Sequence, residues 1–154
     1  MANSTTILAN QAITGFKDAS SYDQHRPTYR SEALETLLKH MNIHLDTSNK
    51  LQIVELAAGT GKFTLPLIAK VSGRTSGEYE HGKDPNLGQV QILVTEPHEE
   101  MRRELEKNLA GLSLGGERGV KVNVTNGVAA NIPVADRWAD GIIAAQVSVD
   151  CVPT

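Results

Sequence analysis

Two acidic residues, Glu55 and Glu96, each end a short apolar run, and small residues follow the first. The first run, residues 51–56, passes into Ala57-Ala58-Gly59-Thr60-Gly61 and then Lys62-Phe63-Thr64. That pattern reads as a buried strand, a tight turn and the start of a helix. Glycine at 59 and 61 lets a ligand approach bare backbone where a Cβ would collide. Thr60 and the amides near Gly61 can then donate hydrogen bonds to a carboxylate at the helix N-terminus. Glu96 closes the second run, where a carboxylate can accept two hydrogen bonds from the vicinal hydroxyls of a ribose. Plainer roles stand beside these: a turn that uses glycine for sterics alone, and an acid that caps the next helix.

Two nucleotide-binding patterns fail on these residues. A Walker A loop, Gly-x-x-x-x-Gly-Lys-Ser/Thr, would need glycine where Leu56 stands and Ser or Thr where Phe63 stands. A dinucleotide fingerprint, Gly-x-Gly-x-x-Gly, could use Gly59 and Gly61 but ends on Thr64 and leaves Glu55 without a role.

The elements that must position these residues follow from periodicity. Ser31 can cap a helix whose apolar residues are Leu34, Leu37, Leu38 and Met41. Residues 51–56 form a first strand and 61–71 a helix, with Pro66 bending it or shifting its start. Residues 72–89, rich in Gly, Ser, Asp and Asn, read as a mobile surface loop. A second strand spans 90–95. Pro97 suits the first turn of the next helix, Glu99 and Glu100 complement its dipole, and Met101, Leu105 and Leu109 share one face. Residues 111–119 form a turn, 120–124 a third strand and 141–146 a fourth. The third strand alternates apolar and polar, as at a sheet edge, whereas Ile92-Leu93-Val94 and 141–145 are continuous apolar runs, as in strands buried on both faces. The fold class is α/β, a doubly wound parallel sheet.

Several segments together carry a family resemblance. Glu55-Leu56-Ala57-Ala58-Gly59-Thr60-Gly61 resembles motif I of class I S-adenosylmethionine (SAM) dependent methyltransferases, acidic-x-Gly-x-Gly-x-Gly, with Ala57 in place of the first glycine. Glu96 to Met101 resembles a Glu-Pro-x-x-x-Met segment of the same family. Gly127-Val128-Ala129-Ala130-Asn131-Ile132-Pro133 resembles Gly-x-Ala-Glu-x-Leu/Ile-Pro; Val128 stands where many members carry Asp, and Ala130 where many carry Glu. Tyr22, Arg26, Pro27 and Tyr29 match a Tyr-x-x-x-Arg-Pro-x-Tyr segment of ubiquinone/menaquinone-type and related small-molecule methyltransferases, and residues 138–146 resemble motif IV.

The resemblance implies a Rossmann-like SAM-methyltransferase fold with strand order 3-2-1-4-5-7-6, of which this chain supplies the first four strands, 3-2-1-4. It implies SAM as cofactor and a small-molecule methyl acceptor whose O, N or C nucleophile displaces the methyl group. The cofactor-binding residues it implies are Tyr22, Glu55, Ala57, Gly59, Gly61, Glu96, Met101, Val128, Ala129 and Gln146. Glu96 would hold the ribose, Met101 and the backbone at Val128 and Ala129 the adenine, Ala145 and Gln146 the methionine end. Tyr22 or Tyr29 could face the sulfonium, which an aromatic ring attracts, or simply pack an N-terminal arm on the surface. Asp140 would be the acid of motif IV or a polar strand start. No catalytic residue is identified; His25 is a candidate base, or a solvent-exposed loop histidine. Two further readings stay open: a non-catalytic remnant or half of an assembly completed by another chain, and a nicotinamide-dependent oxidoreductase.

Composition bounds the rest. The chain has 154 residues, 40% hydrophobic and 21% charged, with net charge −3 and no basic block, which argues against a nucleic-acid or anionic membrane surface. No apolar run reaches the roughly 18 residues of a membrane span, and residues 1–11 carry no signal-peptide pattern. One cysteine, Cys151, allows no internal disulfide, so the expected compartment is reducing and cytoplasmic. The five histidines and the cysteine show no metal-ligand spacing. Residues 1–21 read as a flexible arm, 22–146 as the SAM-binding domain and 147–154 as a tail outside the family pattern. That tail suggests a C-terminally truncated product, with intron read-through as one origin, because Val147-Ser148-Val149 can be encoded by a splice-donor-like string. The apolar edge at 141–146 would then favour self-association.

Overall fold

The computed structural model describes residues 28–45, 48–73, 88–112 and 119–145. Its centre is a parallel sheet of four strands: β1 (Leu51–Leu56), β2 (Val90–Thr95), β3 (Val120–Thr125) and β4 (Gly141–Ala144). The strand order is β3-β2-β1-β4. Register runs from Leu51 opposite Val90 to Leu56 opposite Thr95, and from Val90 opposite Val120 to Thr95 opposite Thr125. This is a mixed α/β arrangement compatible with a Rossmann-like fold, and the expected order 3-2-1-4 is present. Residues 74–87, read as a loop, lie outside the described residues, as does most of the expected turn at 111–119.

Alternation divides each strand between two faces. Leu51 and Ile53 of β1, Val90, Ile92 and Val94 of β2, Val120 of β3 and Ile143 of β4 join one buried cluster with Leu34, Leu38, Phe63, Leu67, Ile68, Val71 and Leu105 of the helix side. The helices among the described residues therefore cover one face. On the other, the crossover 126–140 places Pro133 and Trp138 beside Leu93 across a groove of about 670 Å³, which Lys121 and Asn123 also line. That crossover contains turns and no helix.

Helix α1 (Ser31–His40) buries Leu34 and Leu38, as the periodicity requires. Its N-cap is Arg30, with no side-chain cap hydrogen bond, so Ser31 is the first helical residue and not the cap expected of it. Helix α2 (Thr64–Val71) starts three residues later than expected. The cause is Pro66, which falls in the first turn, where a missing N–H breaks no helical hydrogen bond. Helix α3 (Glu99–Ala110) has His98 as N-cap. Pro97 thus precedes the helix and does not occupy its first turn, whereas Glu99 and Glu100 do.

Strand β3 lies at one edge, as its alternation predicts, and runs one residue longer than expected, to Thr125. Strand β4 corrects the sequence reading twice. It ends at Ala144, and it is not buried on both faces: Ile143 is covered but Ile142 is 54% exposed. Among the described residues its only strand neighbour is β1. Its register is set by Asp140, whose N–H donates to Gln52 O at 2.8 Å while its Oδ2 accepts from Gln52 N at 2.7 Å. The carboxylate here acts as one more rung of the ladder, the strand-start role. No helix among the described residues is long and apolar enough to cross a membrane.

Candidate functional site

Three turns leave the C-terminal ends of adjacent parallel strands, at 57–61 after β1, 96–98 after β2 and 126–131 after β3. β1 lies between β2 and β4, where the winding of the sheet reverses, and ligands of open α/β sheets bind outside such carboxyl ends. The turns are stitched in sequence. Ala58 N donates to Thr95 O at 3.1 Å, and Glu96 N donates to Thr125 O at 3.1 Å. A Cβ on Gly127 would stand 3.2 Å from both Cβ and Cγ2 of Thr95, so the third turn approaches β2 closely.

The glycine turn is built on left-handed backbone. Ala57 has φ 51°, Gly59 φ 59° and Gly61 φ 90°. Ala57 therefore holds a conformation that glycine adopts without strain, which gives a physical reason for the glycine of the resembled pattern at this position. The other two positions differ. Around Gly59 a Cβ would meet nothing within 4 Å, so this backbone faces open space, as a ligand cradle requires. At Gly61 a Cβ would collide with Leu105 Cδ1 of α3. Gly61 also makes room for α3, a role the sequence reading did not give it. Gly59→Ala should thus cost about 1 kcal/mol of stability from backbone strain. Gly61→Ala should cost about 2–4 kcal/mol, because it adds a collision with a fully buried leucine. Urea unfolding of the two variants checks the order.

Glu96 is 3% exposed and joins two turns. Its Oε2 accepts from Gly59 N at 2.8 Å and its Oε1 from His98 N at 2.9 Å. Each carboxylate oxygen keeps lone-pair capacity for a second donor, and the two bonds hold the group fixed between the glycine turn and the acid turn. Met101 is 2% exposed, in the first turn of α3. Val128 is half-buried and Ala129 exposed; Val128 O accepts from Asn131 N at 2.9 Å, closing the third turn. Tyr29 packs edge-on against Phe63 with ring centroids 5.1 Å apart, beside the glycine turn. Tyr22, His25 and Gln146 lie outside the described residues.

Glu55 sits one layer deeper. It is 1% exposed and opposite Val94 and Ile143, on the helix-covered face. Burial pushes its carboxyl from 4.5 up to about 8, against a smaller downward pull from the Thr64 hydroxyl. That attraction stops short of bonding geometry, since neither Glu55 Oε2 nor Thr64 Oγ1 has a hydrogen-bond partner. The resemblance places Glu55 with the cofactor, but here it lies beneath the turn, facing α2.

Two residues at the site escaped the sequence reading. Arg102 Nη1 donates to Glu96 O at 2.6 Å and Pro97 O at 2.8 Å, and Asn108 Nδ2 donates to Thr60 O at 3.1 Å. Both flank the apolar stripe of α3 and are half-buried, and a polar position beside a stripe carries no signal in the sequence of what it will meet. Among the described residues no group of three or more His, Cys, Asp or Glu could hold a metal ion. Neither the models of known protein families nor the curated proteins match this chain.

Proposed function

We propose that this chain binds S-adenosylmethionine across the carboxyl ends of β1, β2 and β3 and serves methyl transfer to a small-molecule acceptor, as the cofactor-binding part of a class I methyltransferase fold. The observation that carries this reading is the 2.8 Å hydrogen bond from Gly59 N to Glu96 Oε2, which brings the glycine turn and the acid turn into one cleft. The resembled family uses those two elements for one ligand. The residues fit the group: Gly59 is open on its outer side, and the two Glu96 oxygens, held by Gly59 N and His98 N, retain lone pairs that could accept the ribose hydroxyls. Backbone at Val128 and Ala129 would border the adenine. Without the Asp and Glu of other members at 128 and 130, recognition there rests on main-chain and apolar contact.

When bound, the cofactor would supply an electrophilic methyl group on a sulfonium. The work of this chain is then to hold and orient, which is where most of the rate gain of a two-reactant site arises. The nucleophile would be an O, N or C atom of the acceptor itself.

Glu96→Ala tests the reading. Calorimetric titration with S-adenosylhomocysteine should show binding to the chain, weakened in the variant by about 1–3 kcal/mol. Equal affinity in both would remove Glu96 from the site. Preference for a nicotinamide dinucleotide would replace the reading with the oxidoreductase one. Binding without methyl transfer would favour the remnant or half-assembly.

A further inference from the structure

Helix α3 touches both halves of the cleft. Arg102 holds the carbonyls of Glu96 and Pro97 at 2.6 and 2.8 Å. Leu105, fully buried, fills the space a side chain on Gly61 would need. Asn108 holds the carbonyl of Thr60 at 3.1 Å. Spaced by three, these side chains form one stripe spanning about 9 Å of helix axis. A single rigid rod therefore grips the acid turn at one end and the glycine turn at the other.

The Gly59–Glu96 hydrogen bond spans the gap between those two grips. Its length depends on where each turn sits, and each turn has one side chain of α3 on its own carbonyl. An arginine donating to two successive carbonyls fixes the turn's direction as well as its position. We propose that Arg102 and Asn108 are positioning residues that set the width of the cleft, acting through the Gly59–Glu96 pair. The ligand arm of the test rests on the function proposed above; the exchange arm does not.

The test is amide hydrogen exchange on the whole chain. Asn108→Leu and Arg102→Met should each speed exchange at Gly59 at least tenfold while the amides of Ile53 and Val94 in the sheet keep their protection. Arg102→Lys, which retains a donor, should restore most of the protection at Gly59. In a Glu96→Ala background the Gly59 amide has no acceptor to lose, so adding Asn108→Leu should leave its exchange unchanged. A purely structural role would not show that dependence on Glu96. Unchanged Gly59 exchange, an equal increase in the Glu96→Ala background, or a parallel rise at Ile53 and Val94 would overturn the proposal. If Asn108→Leu fails to fold, Asn108→Asp keeps the size, loses the donor and carries the same expectation. S-adenosylhomocysteine affinity should fall at least tenfold in the first two variants. Exchange that responds in a chain that binds no S-adenosylhomocysteine would retain the positioning role and reject the proposed cofactor; binding with unresponsive exchange would do the reverse.

Discussion

Glu55→Gln should make the chain more stable at pH 8 and remove most of the fall in stability between pH 5 and pH 8. The carboxyl is 1% exposed, its Oε2 has no partner, and burial holds it protonated up to about pH 8. A folded state that binds this proton more tightly than the unfolded chain loses stability as pH rises through the window in which the unfolded group has given up its proton and the folded group still holds it. The contribution is fully present below about pH 4.5 and disappears as pH rises towards 8, with a slope near 1.4 kcal/mol per pH unit. Across that window the loss is about 5 kcal/mol, large against the 5–15 kcal/mol that holds a typical domain folded. Glutamine has the same shape and no proton to lose. Urea unfolding at pH 5, 6.5 and 8 should therefore give a falling series for the natural chain and a much flatter one for the variant. Parallel series would mean that Glu55 finds solvent or a partner when ionised.

Gly88→Ala should destabilise the fold by about 3 kcal/mol or more. A Cβ there would overlap the carbonyl carbon and oxygen of Asn49 and come within 2.5 Å of Ser48 O. All three are backbone atoms, so no rotamer change relieves the collision. The two segments lead directly into the paired strands: Leu51 N donates to Gln89 O at 2.9 Å, and Leu51 lies opposite Val90. Separating them pulls apart the start of the β1–β2 ladder. Gly119 is the control, because a Cβ there would meet nothing within 4 Å. Gly119→Ala should unfold within about 0.5 kcal/mol of the natural chain. Similar denaturation midpoints for both variants would contradict this account of the sheet entrance.

Much of the fold is legible in the sequence because the strands are short apolar runs bounded by turn residues. β1 and β2 have the expected bounds, and the alternation of Val120, Val122 and Val124 with Lys121 and Asn123 marks an edge. Helix starts were less legible. Pro66 reset one, and Arg30 took the cap position without offering a side-chain acceptor, which a rule based on serine hydroxyls cannot foresee. β4 was expected at an edge, but its continuous apolar run did not show that one face would stay uncovered at Ile142. At the site, Gly59 and Glu96 were legible together, since each ends an element in a recognisable way. The division of labour between Gly59 and Gly61 was not, because it depends on Leu105 arriving from α3. Arg102 and Asn108 gave no signal, since their acceptors are carbonyls that only the folded turns bring near.

The most direct test of the central claim is an amide chemical-shift titration of the chain with S-adenosylhomocysteine. The cleft account predicts that the shifts which move cluster at Gly59, Thr60, Glu96, Val128 and Ala129, along the carboxyl ends of β1, β2 and β3. No movement in a folded chain, or movement confined to the groove around Leu93, Lys121 and Trp138, would contradict it.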